Sequence, residues 1–396
     1  MDSRRGLNDV PVLVVGAGIM GAGIAQVAAQ AGHAVMLFDL RDGAAAEAKT
    51  KLAASLRALV AKGKLEGAMV ETTLTRITPV ATLEAAANAG LVVEAIVEKL
   101  DAKRALFRQL ESIVGNGCVL ATNTSSISVT AIANGLQHPG RLVGMHFFNP
   151  VPVMKLVEVV SGLHTDAGVA DSIFELSKAW GKVPVQTKST PGFIVNRIAR
   201  PYYAETLALL QEQAATPAVL DACLRAAGFR MGPCELMDLI GHDTNFAVTQ
   251  SVYEANFFDK RYVPSLVQRE MVDGGLLGRK SGRGFYSYPA GAPALPAVAT
   301  DELASGTSVV VHGHGAIADR LAASAATTER ISVARRPDSH WTGLSFGDAV
   351  LMLTDGRCAN ERVSVFGTSD IAVFDRPMLP AAAAQAPLAY AVADGA

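Results

Sequence analysis

The sequence has little excess charge of either sign and few cysteines. Its 396 residues carry 35 Lys and Arg against 37 Asp and Glu, so it lacks the basic surface that broad nucleic-acid binding requires. The four cysteines form no CxxC pair and no close cluster with histidine. Their spacing argues against a disulfide framework or a zinc site and is typical of a reducing compartment. We therefore predict a cytoplasmic protein with no metal site and no nucleic-acid partner.

One uncharged run is long enough to cross a bilayer. Residues 10–32 contain no Asp, Glu, Lys or Arg, and about 20 apolar residues suffice for a membrane helix. The run nevertheless begins like a β-strand and contains five glycines, and no basic segment with a small-residue cleavage site frames it. We interpret it as a soluble strand, turn and helix, and predict neither a targeting segment nor a membrane partner.

Short apolar runs alternate with helical patterns through the first half of the chain. Continuous apolar strands that alternate with helices are typical of a parallel sheet covered on both faces. The sequence thus predicts an α/β domain over residues 1–190. The predicted strands are Val10–Val15, Ala34–Phe38, Leu91–Ala95, Val119–Thr122, Leu142–Phe148 and Lys155–Val160.

A glycine motif follows the first apolar run, and Asp39 ends the second. The motif fits GxGxxG and reads Gly16-Ala17-Gly18-Ile19-Met20-Gly21. Between a strand and a helix it predicts a Rossmann-like dinucleotide site, in which the second glycine lets the backbone approach a pyrophosphate. Asp39 would accept hydrogen bonds from a ribose and repel a 2′-phosphate, which favours NAD over NADP, although the neighbouring Arg41 weakens that preference. A glycine-rich structural turn is the alternative.

The pattern changes after residue 190. Residues 191–288 are mostly helical by period and predict a separate helical domain, and residues 289–300, rich in Pro, Ala and Gly, predict a linker. Residues 301–396 repeat the strand–glycine–helix theme weakly, at Val309–Val311, His312–Gly315 and Ala316–Ala326. We interpret them as a degraded Rossmann-like extension that ends without a finishing element, as a truncated chain would.

The extension contains no complete GxGxxG, so we predict that it binds no NAD. Equilibrium titration should therefore detect one NAD molecule per chain. A stoichiometry of two would contradict this prediction.

Two residues stand out as candidates for acid–base chemistry. His146 ends an apolar strand, and Glu158 places a carboxylate inside the otherwise buried strand 12 residues later. Facing strands would bring them together, and a buried glutamate would fix the tautomer of the imidazole and raise its basicity, as a general base requires. If each residue is considered alone, His146 is better explained as a core histidine whose hydrogen bonds are satisfied. Glu158 alone is better explained as a charged residue on an edge strand.

Two polar residues are weaker candidates. Ser125 follows the strand Val119–Thr122, and the carboxyl ends of such strands border the ligand crevice in open α/β sheets. A turn that caps the next helix explains Ser125 nearly as well. Asn196 lies at the start of the helical domain. If it has no role in the site, it is simply a polar residue at the junction between the two domains.

These residues lie in segments that together resemble the L-3-hydroxyacyl-CoA dehydrogenase family from Val10 to Tyr286. The segments, in family order, are GAGIMG, VEAIVEKLDAKRALF, NTSSISV, GMHFFNPVPVMKLVEVV, TPGFIVNR, RMGPCELMDLIG and GRKSGRGFY. The resemblance implies oxidation of an L-3-hydroxyacyl-CoA to the 3-oxoacyl-CoA with NAD+, and a homodimer formed through the helical domain. It also implies that His146 is the base, that Glu158 orients it, and that Ser125 and Asn196 hydrogen-bond the reacting substrate.

The resemblance also implies two sets of ligand contacts. From the residues alone, Glu98 and Lys103 would be assigned to the solvent-exposed face of a helix. The helix that carries Ser55 and Lys62 would be interpreted as an ordinary basic amphipathic helix. In the family, the positions matching Ser55, Lys62 and Ser125 contact coenzyme A. The implied NAD contacts are Gly16, Gly18, Ile19, Met20, Gly21, Asp39, Glu98, Lys103, Ser125, Asn149 and Lys280.

Two rival functions stay open at this point. One is a related Rossmann dehydrogenase for a hydroxyacid or sugar acid without coenzyme A, against which the basic helix argues. The other is a crystallin-like relative without activity, against which the intact candidate residues argue. Within the preferred reading, the sequence does not separate 3-hydroxybutyryl-CoA from 3-hydroxyadipyl-CoA, nor fatty-acid from phenylacetate-type catabolism.

Overall fold

The computed structural model describes residues 6–293, 307–327, 331–376 and 390–396. The chain divides into two units: the first comprises residues up to Ala199 together with Ser251–Lys260, and the second comprises Arg200–Gln250 and the residues from Arg261 onward. The limits of these units differ from the domain boundaries at residues 190 and 288 that the sequence predicts. Those boundaries therefore stay a prediction.

A single sheet organises the first unit. Its strands are β1 (Val12–Val15), β2 (Val35–Phe38), β3 (Ile77–Pro79), β4 (Leu91–Glu94), β5 (Val119–Thr122), β6 (Leu142–Phe147), β7 (Leu156–Ser161) and β8 (Val183–Lys188). They lie in the order β3-β2-β1-β4-β5-β6-β7-β8. Strands β1 to β6 are parallel, and β7 turns back antiparallel to β6. The order up to β6 is that of a Rossmann sheet, as the sequence predicts.

Helices cover both faces of this sheet. They are α1 (Ile19–Gln30), α2 (Ala44–Ala61), α3 (Gly67–Thr75), α4 (Leu100–Ile113), α5 (Val129–Ala133) and α6 (Ala167–Ala179). Val12 packs with Ile24 of α1 in one core, whereas its neighbour Leu13 packs with Phe107 of α4 in the other. Because successive side chains of a strand point to opposite faces, a sheet covered on both sides needs apolar residues at every position.

The segment after the sheet is helical, as predicted. Its helices are α7 (Val195–Gln211), α8 (Pro217–Ala226), α9 (Pro233–Ile240), α10 (His242–Ala255) and α11 (Leu266–Asp273). Side-chain caps define two of the starts: the Thr216 hydroxyl accepts from the N–H of Val219, and the Ser265 hydroxyl from that of Val267. Such caps satisfy N–H groups that have no partner within the helix.

The extension folds around a second sheet of mixed direction. Its elements are β9 (Ser308–His312), α12 (Ala316–Ala326), β10 (Ser332–Arg336), β11 (Gly343–Phe346), β12 (Ala349–Leu353), α13 (Ala359–Phe366), β13 (Ile371–Phe374) and β14 (Tyr390–Val392). β9 and β10 are parallel and joined through α12, as in a Rossmann unit, but β11 pairs antiparallel with both β9 and β12. The degraded Rossmann-like interpretation of residues 301–396 therefore stays a prediction.

Part of the predicted linker, residues 294–300, lies outside the described residues. Among the helices that the structure describes, none combines the length and the apolar character needed to span a membrane.

Candidate active site

The glycine loop leaves space where a dinucleotide phosphate would lie. A Cβ at Gly16, whose φ is +102°, would collide with the carbonyl of Ala95, and one at Gly21 would collide with the carbonyl of Gly16. At Gly18, which precedes α1, a Cβ would meet no atom of the described chain within 4 Å. Two glycines therefore let the backbone pack, while the third opens the helix N-terminus to an anion, as phosphate binding requires.

Asp39 lies at the end of β2 beside this loop. Its Oδ2 accepts the N–H of Ala17 at 2.7 Å and its Oδ1 that of Arg41 at 3.0 Å. Asp39 also lines a cavity of about 790 Å³ together with Gly16, Gly18 and Val97. The residues thus fit an adenosine ribose on the carboxylate.

Other predicted cofactor residues of the loop lie at the start of α1. The side chain of Ile19 is 79% exposed, whereas Met20 packs against the core of the sheet. The guanidinium of Arg41, which weakened the preference for NAD, pairs with Glu47 at 2.9 Å and lines a different cavity from the one that Asp39 lines. Among the residues that the structure describes, no positive side chain lines the cavity at Asp39.

His146 and Glu158 face each other on adjacent strands. They are register partners of β6 and β7, and Nδ1 of His146 lies 2.6 Å from Oε2 of Glu158. Both are buried. The imidazole lies between two aromatic rings, with centroids 4.6 Å from Phe148 and 5.8 Å from Phe193. The predicted pairing is present, and the imidazole is held on three sides.

The second carboxylate oxygen of Glu158 is also bonded. Oε1 accepts the N–H groups of Ile194 and Val195, each at 2.9 Å. Burial raises the pKa of Glu158, but the hydrogen bonds from His146 and from these backbone groups outweigh it, so the net pKa is lowered. An ionised Glu158 can only accept, which places the proton of neutral His146 on Nδ1 and leaves Nε2 as the basic nitrogen.

The same backbone groups begin α7, which carries Asn196. The Nδ2 of Asn196 donates to the carbonyl of Ser125 at 3.4 Å. One turn of chain, Ile194–Asn196, therefore contacts both Glu158 and the loop after β5. The structure thus places the four predicted catalytic residues in two hydrogen-bonded pairs, His146 with Glu158 and Asn196 with Ser125, and the backbone of this turn joins the two pairs.

The loop that carries Ser125 is held by Glu98. Oε1 of Glu98 accepts the Thr124 hydroxyl at 2.6 Å, the Ser125 N–H at 2.8 Å and the Ser126 N–H at 3.2 Å. Burial raises the pKa of Glu98, but the charge of Lys103 and these hydrogen bonds lower it further than burial raises it. Glu98 thus fixes the loop as an ionised carboxylate.

Lys103 is buried, which corrects the reading of a solvated helix face. Its Nζ lies 2.6 Å from Oε1 of Glu94 and 3.2 Å from Oε2 of Glu98. The side chain of Lys103 is 1% exposed, and that of Glu94 is fully buried. Glu94 also accepts the hydroxyl of Thr122 at 2.7 Å. The ion pair links β4, α4 and β5 at the carboxyl edge of the sheet.

Sequence reasoning missed Glu94. It ends the apolar strand β4 and, like Glu158 in β7, is a carboxylate in an otherwise apolar strand. The signal that identified Glu158 was therefore present at Glu94 as well.

Three further predicted ligand contacts are Ser55, Asn149 and Lys280. Ser55 of α2 and Asn149 both line a cavity of about 570 Å³ beside the glycine loop. Lys280 belongs to the second unit and pairs with Asp243.

Lys62 is the C-cap of α2, which ends at Ala61. Gly63 adopts a φ of +67°, and the N–H of Lys64 bonds to the carbonyl of Leu59. This is a Schellman motif, in which a left-handed glycine closes the helix. Lys62 is therefore exposed at the end of the helix that carries Ser55.

Comparisons with known proteins match two consecutive domains of one enzyme family. Residues 11–190 match the model of the 3-hydroxyacyl-CoA dehydrogenase NAD-binding domain, and residues 192–288 that of its C-terminal domain. The chain is 54% identical over 285 residues to 3-hydroxyadipyl-CoA dehydrogenase of Escherichia coli, covering 72% of this chain and 60% of that protein. It is 41% identical to human mitochondrial hydroxyacyl-coenzyme A dehydrogenase, covering 70% and 90% respectively.

A solved structure extends the likeness beyond residue 288. The crystal structure of 3-hydroxybutyryl-CoA dehydrogenase from Escherichia coli K12 superposes with a TM-score of 0.78 at 44% identity, covering 93% of this chain and 72% of that one. This chain thus spans only 60% of the length of the 3-hydroxyadipyl-CoA dehydrogenase it matches. Since two consecutive family models and relatives above 40% identity align over the same residues, the chain belongs to the 3-hydroxyacyl-CoA dehydrogenase family, with NAD as its cofactor.

Proposed function

We propose that this chain oxidises L-3-hydroxyacyl-CoA to 3-oxoacyl-CoA with NAD+. The observation that carries the proposal is the buried His146–Glu158 pair, at 2.6 Å, in the sheet that bears the glycine loop. Loop and pair both lie toward the carboxyl ends of parallel strands, where α/β sheets bind ligands.

In this mechanism His146 is the general base. Its Nε2 takes the proton of the C3 hydroxyl, while Nδ1 stays bonded to Glu158, whose negative charge stabilises the imidazolium that forms. The glycine loop and Asp39 would hold NAD+, which would supply the acceptor for the hydride from C3. The Ser125 hydroxyl and the Asn196 amide hydrogen-bond the substrate oxygens and hold the C3 hydroxyl toward the base.

The reaction class is tested by NADH absorbance in the reductive direction. We expect purified protein to consume NADH with acetoacetyl-CoA and not with free acetoacetate, and to prefer NADH to NADPH because Asp39 repels a 2′-phosphate. Activity on the free acid would support the rival dehydrogenase without coenzyme A. No turnover of the thioester by folded protein that binds NADH would refute the proposal.

Coenzyme A is a polyanion, and we propose that Ser55 and Lys62 contact its phosphates. Lys62→Ala should raise the KM for acetoacetyl-CoA by about two- to fivefold with kcat unchanged, because an exposed charge contributes little binding energy and none to the chemical step. Steady-state kinetics of the variant measures both constants.

Lys64→Ala is the matched control, since it removes the same charge two residues further on. S-acetoacetyl pantetheine, which lacks the nucleotide phosphates, should show no KM change with Lys62→Ala. An equal KM increase for this truncated substrate would exclude a phosphate contact.

The acyl substrate and pathway are further parts of the proposal. The Escherichia coli relative is a 3-hydroxyadipyl-CoA dehydrogenase, and other relatives are 3-hydroxybutyryl-CoA dehydrogenases. We propose a substrate from this range, in fatty-acid or phenylacetate-type catabolism. The reduction rates with acetoacetyl-CoA and with 3-oxoadipyl-CoA should be compared. The faster substrate shows whether the enzyme prefers a short acyl chain or a dicarboxylic one.

We also propose a cytoplasmic homodimer formed through the helical domain over residues 191–288. Its helices expose apolar side chains, among them Val219, Leu239 and Leu266, and such surfaces are typical of subunit contacts. The four cysteines are free thiols, as suits a reducing compartment.

A further inference from the structure

Two consecutive residues just before α7 adopt a left-handed backbone. The φ angles are +74° at Gly192 and +47° at Phe193. Glycine takes this conformation freely, whereas for a bulky residue such as phenylalanine it is an outlier. Strain of this kind persists only where the surrounding structure holds it, and it is concentrated at functional positions. The contacts that the turn makes possible are therefore the place to look for its role.

The turn is fixed on both sides. The ring of Phe193 is 3% exposed and lies in the same core as Val160 of β7. The N–H of Phe193 donates to the carbonyl of Thr190 at 2.9 Å, which closes the turn. At Gly192 a Cβ would lie 3.0 Å from the backbone nitrogen of Arg197, so this position has little room for a side chain. Packing and hydrogen bonding together hold the left-handed conformation.

The turn directs the next two N–H groups to one carboxylate oxygen. Those of Ile194 and Val195 both donate to Oε1 of Glu158, each at 2.9 Å. Val195 begins α7, a helix of 17 residues, and the N–H groups at a helix start carry partial positive charge. Successive N–H groups that converge in this way bind an anion well. A change of φ at Phe193 would rotate the chain that follows and turn both groups away from Glu158.

The side chain of Phe193 contacts the other member of the acid–base pair. Its ring centroid lies 5.8 Å from that of His146, with the two rings edge to face at 62°. Phe193 thus packs against His146 with its ring and, through its backbone, directs two hydrogen bonds to Glu158. One residue therefore acts on both members of the pair.

Three elements border the carboxylate of Glu158. β6 presents His146, the titratable side chain bonded to it, β8 presents Val185 as its register partner, and α7 presents the two N–H groups. Burial raises the pKa of Glu158, but the hydrogen bonds from His146 and from the backbone outweigh it and lower the pKa. The N–H groups thus favour the state in which Glu158 is ionised and His146 is neutral.

We propose that Phe193 is a positioning residue whose left-handed backbone aims the start of α7 at Glu158 and so keeps this carboxylate ionised beside His146. The inference rests on the proposed function, because it takes His146 as the base. Without the two N–H groups, the buried pair binds a proton more tightly, whichever member carries it. Oxidation requires the unprotonated pair. The pH below which oxidation is lost should therefore rise when the turn is disturbed.

Two isomeric side chains separate the backbone from the ring. Leucine and isoleucine have nearly equal volume, but the β-branch of isoleucine resists the left-handed conformation. The measurement is kcat/KM for oxidation of L-3-hydroxybutyryl-CoA by NAD+ against pH, which reports the protonation of the free enzyme. We expect Phe193→Ile to raise the apparent pKa on the acid side by about one unit, a tenfold change in proton affinity. Phe193→Leu, the matched control, should stay within about 0.3 units of the unaltered protein, a twofold change.

Gly192→Ala disturbs the same turn at its other residue and serves if Phe193→Ile does not fold. It should raise the apparent pKa in the same direction, because alanine is strained at a φ of +74°. A general loss of folded protein lowers activity equally at every pH and does not move the profile. Unchanged profiles in both variants, or an equal shift in Phe193→Leu, would overturn the inference. Failure of the proposed function would show differently, as no oxidation of L-3-hydroxybutyryl-CoA by the unaltered protein.

Discussion

His146→Gln should lower kcat by about 10²- to 10⁴-fold, the contribution of a positioned general base. The amide of glutamine can still donate to Glu158, so the buried carboxylate keeps a partner. It has no basic nitrogen in place of Nε2, however, and the C3 hydroxyl proton has no acceptor. Binding should survive because His146 contacts only the reacting end of the substrate.

The measurement is steady-state turnover together with NADH affinity by fluorescence titration. We expect kcat to collapse while the dissociation constant of NADH stays within about twofold, a change that corresponds to ~0.4 kcal/mol. His164→Gln is a suitable control, since His164 is exposed in the same unit. Turnover near that of the unaltered protein would remove His146 from the mechanism.

Lys103→Met should lower the free energy of unfolding of the first unit by about 3–5 kcal/mol, the range for breaking a buried ion pair. Methionine keeps the apolar stem of the lysine but leaves Glu94, fully buried, without the cation 2.6 Å from its Oε1. Most of the loss arises from this uncompensated charge. The double variant Lys103→Met/Glu94→Gln should therefore recover most of the lost stability, because no buried charge remains.

Urea unfolding followed by Trp180 fluorescence measures this loss. The chain has two tryptophans, and Trp180 alone belongs to the first unit, so a Trp341→Phe background makes the signal specific. Lys99→Met is the control, because Lys99 is exposed just before α4. A double variant as unstable as the single one would refute the explanation by unpaired charge.

The pairing of His146 with Glu158 was predictable from the sequence because it depends on a local irregularity. A carboxylate inside an apolar strand must find a partner, and the short connection between the two strands limits where that partner can be. The two N–H groups that α7 donates to Glu158 could not be predicted. They come from residues 36 and 37 positions further along the chain.

Lys103 shows the opposite case. On α4 it lies four residues before Phe107 and seven before Leu110, so it shares the buried face of the helix. The solvated-face reading followed the charge of the residue instead of this spacing, and it was wrong. Only the position of β4 beside α4 places Glu94 within reach of it. A buried charge on a helix is identified by its partner, and the partner is set by tertiary structure.

The sequence by itself determined the local structure, namely the apolar strands and the glycine loop with Asp39 at the end of the next strand. These features follow from the period of side chains and the conformational freedom of glycine, which act over a few residues. Tertiary structure alone decided the mixed direction of the second sheet and the two backbone N–H groups that bond Oε1 of Glu158. Each depends on contacts between elements far apart in the chain, and no local pattern of residue types records those contacts.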